Sequence, residues 1–185
     1  PSLIELLADQ DDAVRLGAVS ALGTLGHREA AGHIRPLLMD QKPAIRKAAA
    51  DALGGLRDEE AVQGLRGLLS ETDASVRRSA ILALRDIGAR SAAAELTECL
   101  EVEEDDLRKE IIPALGRWKH LPAGPKLLKY LRSSDPEIRA AAAEALKELA
   151  YKPAAPELVG LLRDADPSVQ NAASRALVEI REDSV

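Results

Sequence analysis

The stretch Lys42–Leu56, KPAIRKAAADALGGL, returns along the chain. It reappears as Asp73–Ile87, DASVRRSAILALRDI, as Asp135–Leu149, DPEIRAAAAEALKEL, and as Asp166–Ile180, DPSVQNAASRALVEI. In the first copy Ile45, Ala49, Ala52, Leu53 and Leu56 fall on the one-sided stripe of a helix with 3.6 residues per turn. The phrase is therefore the beginning and the buried face of a helix. Asp135-Pro136 and Asp166-Pro167 place an N-cap carboxylate before a proline at the first helical position. Asp11 and Asp73 stand at the same place in other copies.

The copies register at a period of 31 residues without a gap. One column reads Val14, Ile45, Val76, Leu107, Ile138, Val169. The next reads Arg15, Arg46, Arg77, Arg108, Arg139 and then Gln170. Ala21, Ala52, Ala83, Ala114, Ala145 and Ala176 form an unbroken alanine column, followed by a leucine column from Leu22 to Leu177. A second block repeats ahead of each phrase, with Ala30, Ile34, Leu37 and Leu38 as its apolar signature. Each period thus holds two helices, A and then B. Gly26 and Gly88 follow B helices, where a left-handed C-cap favours glycine. One pair cannot bury its own apolar face, and stacking pairs side by side does. The expected fold is all-α, a right-handed α-solenoid (α-α superhelix) of six stacked pairs forming one array over residues 1–185. The pairs are 1–26, 27–57, 58–88, 89–119, 120–150 and 151–185.

Composition agrees with close helix packing. Phe is absent, and Trp118, Tyr130 and Tyr151 are the only aromatics, so the core is built from small aliphatics. The net charge of −6 argues against a dedicated nucleic-acid binder, which needs a basic footprint. No apolar run reaches the ~18 residues that span a bilayer, so no membrane partner is expected. Cys99 is the sole cysteine and forms no internal disulfide, which fits a reducing, cytoplasmic setting. It falls in an apolar column with Leu37, Leu68 and Leu161 and reads as an inert core thiol. The sequence opens at Pro1 rather than Met, as expected of a processed chain or a piece of a longer repeat array.

The phrase D-P-x-V-R-x-x-A-A-x-A-L is carried by Asp166-Pro167-Ser168-Val169 with Ala172-Ala173-Ser174-Arg175-Ala176-Leu177, and by Asp135 to Leu146. With its following A-x-x-x-L-x-x-L-L block it resembles the HEAT repeat, and more closely the short bacterial form named after phycobilisome lyases. The resemblance implies that helix B lines a concave side. It also implies that Asp and Arg of neighbouring repeats form a structural ladder. Lys42 and Glu104 depart from the Asp column, so the ladder is expected to be interrupted there. Gln170 also departs from the Arg column, as expected of an atypical terminal repeat.

Chemistry is sparse. Deoxyhypusine hydroxylase, on a similar scaffold, uses His-Glu dipeptides as iron ligands. Here His27 precedes Arg28, His33 precedes Ile34 and His120 precedes Leu121, so no metal site is expected. HEAT-like alkylpurine DNA glycosylases need a basic face with aromatics, which this acidic chain with one Trp lacks. Phycobilin lyase subunits share the repeat, which keeps a bilin-lyase-like subunit acting on a phycobiliprotein as the enzymatic alternative. No phosphate loop or catalytic triad is visible, and no cofactor is expected.

The exposed B columns carry polarised charge. Lys47, Arg78 and Lys109 form a basic stripe, while Glu137, Glu144, Glu148 and Glu179 form an acidic end, with Arg117 and Arg175 among them. Such a face suits an extended protein segment of opposite polarity, or it is a solvated face with local pairs such as Lys47 with Asp51. Repeat four is irregular. An acidic run, Glu101–Asp106, feeds its B helix, and Pro113 inside that helix is expected to kink it. Pro113, Trp118 and His120 are read either as a repacked joint or as a binding notch. The sequence thus points to a non-enzymatic scaffold that binds protein through helix B, with end-to-end self-association through its apolar end faces as a further expectation.

Overall fold

A computed structural model describes residues 2–182. Pro1 and the last residues of the sixth pair, 183–185, lie outside the described residues. Among the described residues the regular structure is entirely helical, with no strand. Eleven α-helices run in chain order. They are α1 (Asp12–Leu25), α2 (Ala31–Ile34), α3 (Pro43–Leu56), α4 (Val62–Gly67), α5 (Ala74–Ile87), α6 (Ala93–Val102), α7 (Asp105–Arg117), α8 (Gly124–Tyr130), α9 (Pro136–Glu148), α10 (Ala155–Leu161) and α11 (Pro167–Glu182). The odd-numbered helices are the B helices from α1 to α5 and from α7 to α11. The A helices are shorter and are extended by 3-10 turns, such as Glu59–Ala61 and Leu68–Ser70 around α4.

The chain divides into two compact units, Pro1–Ala92 and Ala93–Val185. In unit 1, α3 packs between α1 and α5, and α4 lies against α5. In unit 2, α9 packs between α7 and α11, with α6, α8 and α10 each against the B helix that follows it.

The B helices begin where the sequence supplies a cap. Asp11 accepts the amide of Ala13 at 2.8 Å, Asp73 that of Ser75 at 2.8 Å, Asp135 that of Glu137 at 2.8 Å, and Asp166 that of Ser168 at 2.7 Å. Each satisfies a donor that the first helical turn leaves open. Helix α3 starts at Lys42 without a side-chain cap, and Pro43 removes one of the donors instead. The helices end in the left-handed region at Gly26 (φ 69°), Arg57 (φ 53°) and Gly88 (φ 80°). Lys119 (φ 54°) and Ala150 (φ 47°) hold the same place in unit 2. Helix α7 runs unbroken through Pro113.

Small residues let the B helices approach closely. A β-carbon on Gly54 would stand 2.7 Å from the Cα of Ala83, and one on Gly116 would stand 2.8 Å from the Cα of Ala145. Around these contacts lie fully buried aliphatics, Leu53, Leu65 and Leu84 in unit 1 and Leu115, Leu127 and Leu146 in unit 2. Each contributes about 1.5–3 kcal/mol of burial energy. Cys99 is buried, as its column predicts.

Candidate functional site

The arginine column is built into the framework. Arg15, Arg46, Arg77 and Arg139 each donate through Nη1 to the carbonyl six residues earlier, on Asp9, Asp40, Glu71 and Ser133, at 2.7–2.9 Å. Gln170 does the same with its amide, reaching the carbonyl of Asp164 at 2.6 Å. These side chains close the loop between helix A and helix B, satisfying carbonyls that the turn leaves exposed.

The other edge of the guanidinium reaches an acid in the next pair. Arg15 Nε donates to Asp40 at 3.1 Å, Arg46 Nη2 to Glu71 at 3.0 Å, and Arg139 makes a fork with Asp164 at 2.8 and 2.7 Å. This corrects the expected ladder. Its acids are not the N-cap column but the column two residues upstream: Asp9, Asp40, Glu71, Val102, Ser133, Asp164. Lys42 therefore interrupts nothing, and its own ammonium pairs with Asp12 at 3.0 Å. The column lacks a carboxylate at Val102 and Ser133. Arg108 departs from the others, donating Nε to the Leu100 carbonyl at 2.9 Å and Nη1 to Asp105 at 2.7 Å. It also lies 5.7 Å from the centre of the Tyr130 ring, whose hydroxyl donates to the same Leu100 carbonyl.

In unit 1 an open groove of about 510 Å³ lies between α1 and α3. Leu16, Gly23, Ala44, Ala48 and Ala52 supply its apolar lining. Ser20, Thr24, Lys47 and Asp51 supply its polar groups. Lys47 Nζ lies 2.7 Å from Asp51 Oδ2, the i,i+4 pair legible in the sequence. The groove is lined largely by small residues and carries one ion pair. Arg78, on α5, is exposed.

In unit 2 the charged columns pair with one another. Lys109 bridges Asp135 at 2.8 Å and Glu137 at 2.6 Å. These two carboxylates raise its pKa above the ordinary lysine value, and its hydrogen bond lowers that of Asp135. Lys147 bonds Glu144 and lies 3.4 Å from Glu148, and Arg175 approaches Glu144 at 3.5 Å. Hydrogen bonding to Glu144 raises the Lys147 pKa. Each lysine is thus shared by two carboxylates. Arg117 is exposed at the last turn of α7, where the helix dipole favours a cation. Pro113, Trp118 and His120 are all half-buried. Sequence reasoning did not single out Lys147 or the double role of Asp135, which caps α9 while pairing with Lys109. Among the described residues no His, Cys, Asp and Glu group is arranged to hold a metal ion. No helix there is long and apolar enough to cross a membrane.

The family model of HEAT repeats matches residues 1–85, 43–116 and 124–185. The chain belongs to the HEAT repeat family. No curated protein sequence matches it. Among solved structures it is similar to an engineered protein at 24% identity, covering 97% of this chain and 95% of that one with a TM-score of 0.77. It is similar to computationally designed armadillo repeat proteins for modular peptide recognition, at 19% identity over 96% and 98% of the two chains, TM-score 0.78. It is also similar to the complex of CpcE and CpcF of phycocyanin lyase from Nostoc sp. PCC7120, at 25% identity over 92% of this chain and 73% of that one, TM-score 0.69. The fold is that of HEAT and armadillo solenoids. In these HEAT pairs the D-P-x-V-R phrase does framework work: its Asp caps helix B, and its Arg ties the loop to the next pair.

Proposed function

We propose that this HEAT protein is a non-enzymatic scaffold that binds an extended segment of a partner protein, and that the segment seats in the groove between α1 and α3. The observation that carries the reading is the groove itself. Its lining comes from the B helices α1 and α3, with alanine and glycine prominent in it and Lys47 and Asp51 offering one donor and one acceptor. An extended strand laid along such a lining keeps its backbone groups within reach of Ser20, Thr24 and the ion pair. Similarity to armadillo proteins designed for peptide recognition supports the same use of the fold. A panel of displayed random peptides, selected on the wild type, tests it. Selected peptides should lose at least ten-fold in affinity on Ala48→Glu, which fills the groove, while Ser91→Glu, an exposed position elsewhere in unit 1, leaves binding unchanged. Peptides indifferent to Ala48→Glu would remove the groove from consideration.

A second reading, a bilin-lyase-like subunit, draws on the similarity to the phycocyanin lyase complex. Covalent transfer of a bilin to an acceptor phycobiliprotein by the purified protein would establish it and overturn the scaffold-only reading.

A further inference from the structure

The ladder column two residues upstream of the B-helix caps has one gap that chemistry can fill. In unit 2 the column reads Val102, Ser133, Asp164. Asp164 receives Arg139 from 25 residues back, and the same spacing assigns Arg108 to Ser133. Ser133 already sits as the acids of the column do. Its Oγ accepts the amide of Asp135 at 3.2 Å, where Asp40 Oδ1 accepts Lys42 N at 2.8 Å and Asp164 Oδ1 accepts Asp166 N at 2.9 Å. The backbone is set for a rung, and only the charge is missing. Val102 has no group that takes one.

A second, independent observation lies at Arg108. Arg15, Arg46 and Arg139 each bond the carbonyl six residues back and an acid 25 residues ahead. Arg108 does neither. It turns to the Leu100 carbonyl, eight residues back, and to Asp105. Both bonds are readily given up. Tyr130 donates its hydroxyl to the same Leu100 carbonyl, which keeps a partner when Arg108 leaves. The Asp105 side chain is 50% exposed, where an ion pair contributes little.

We propose that Ser133 is a phosphorylation site, and that its phosphate takes Arg108 to complete the rung between α7 and the loop before α9. The step is phosphoryl transfer from a nucleoside triphosphate held by a protein kinase. Ser133 Oγ bonds to the γ-phosphorus, the bond from that phosphorus to the bridging oxygen breaks, and the nucleoside diphosphate leaves. The hydroxyl proton passes to the kinase's base. The length fits the column. A phosphoserine reaches its terminal oxygens from Cβ through Oγ and P, as many bonds as Glu71 spans through Cγ and Cδ, and Glu71 receives Arg46 at 3.0 Å. The charge fits as well. The nearest acids along the chain, Asp135 and Glu137, are both held by Lys109. Phosphate facing arginine forms strong charge-assisted hydrogen bonds. Ser133 is half-buried in the short loop between α8 and α9, flanked by exposed Arg132 and Ser134, so a kinase reaches it. None of these residues lines the α1–α3 groove, and the inference does not rest on peptide binding there.

Phosphoserine placed at position 133 of the full chain tests the rung. In a phosphorus NMR titration its second pKa should fall from the usual value of about 6 to about 5, and Arg108→Gln should return it to about 6. The phosphorylated chain should melt about 2–4 °C above the unmodified one, and Arg108→Gln should abolish that gain. Arg108→Lys, which keeps the charge and loses the fork, should retain part of the pKa shift, and it replaces Arg108→Gln if the latter does not fold. A phosphate that titrates near its usual value beside Arg108, or whose shift ignores both variants, overturns the pairing. Phosphopeptide mass spectrometry of the chain purified from its own cells, growing and starved, reads the modification itself. Phosphate on Ser133 is expected. Phosphate confined to Ser134, or none in this loop, overturns the proposal.

Discussion

The Cα of Ala83 lies 2.7 Å from the point where a β-carbon on Gly54 would stand, whereas the same point on Gly55 has no atom within 4 Å. Two adjacent glycines of one helix thus do opposite things. Gly54→Ala forces α3 and α5 apart and should destabilise unit 1 by about 1–3 kcal/mol. Gly55→Ala removes backbone entropy from an exposed helical position and should stabilise by about 0.5–1 kcal/mol. Urea titrations of the two variants check this, and shifts of the same sign would mean that the contact is misplaced.

The left-handed position after each B helix separates by residue type. Ala150, at φ 47°, holds a conformation that costs a β-carbon about 1–2 kcal/mol, while Gly88, at φ 80°, holds it freely. Ala150→Gly should stabilise the fold and Gly88→Ala should destabilise it, each by roughly 1 kcal/mol, with the melting temperature moving up and down accordingly. Differential scanning calorimetry reads both.

Core and surface leucines should respond differently. Leu115 is fully buried and Leu25 is 61% exposed. Leu115→Ala should cost about 2–5 kcal/mol through lost burial and cavity formation. Leu25→Ala should stay within about 0.5 kcal/mol. Equal losses in chemical denaturation would put the helix stripe on the wrong side.

The Arg139 hydrogen bonds hold the Asp164 carboxyl below its ordinary value of 3.8. A carboxyl lowered in the folded state stabilises above its unfolded pKa, and that contribution fades as pH falls through the folded value. Asp164→Asn should therefore weaken the protein at neutral pH, and the gap to the wild type should close in strong acid. A gap of the same size at pH 7 and pH 2 would show that the loss is not the ion pair.

Much of this architecture is legible in the sequence. The Asp caps, the left-handed glycines at Gly26 and Gly88, and the buried stripe follow from local rules, because each involves residues within one turn. The ladder is harder to read. Two columns near the arginines are rich in acid, and only the fold of the loop decides that Asp164 rather than the N-cap Asp166 receives Arg139. Arg57, Lys119 and Ala150 carry no sequence signal for a positive φ, since tertiary packing imposes it. The sharing of Lys109 and Lys147 by pairs of carboxylates likewise depends on how side chains cross from one helix to the next. The groove was legible only as columns. The close approach of Gly23 to Ala52 within its lining is something a list of exposed residues does not reveal.

The reach of the arginines bears on how the chain acquires its structure. Arg15, Arg46 and Arg139 each close a contact six residues back, and the acid of each lies 25 residues ahead. Contacts so local carry little loop-closure entropy, and proteins dominated by them fold quickly. Order can begin at any pair and spread to its neighbour. A chain leaving the ribosome could therefore settle one helix pair at a time, each new arginine finding its carbonyl at once and waiting only for the next pair to bring its carboxylate.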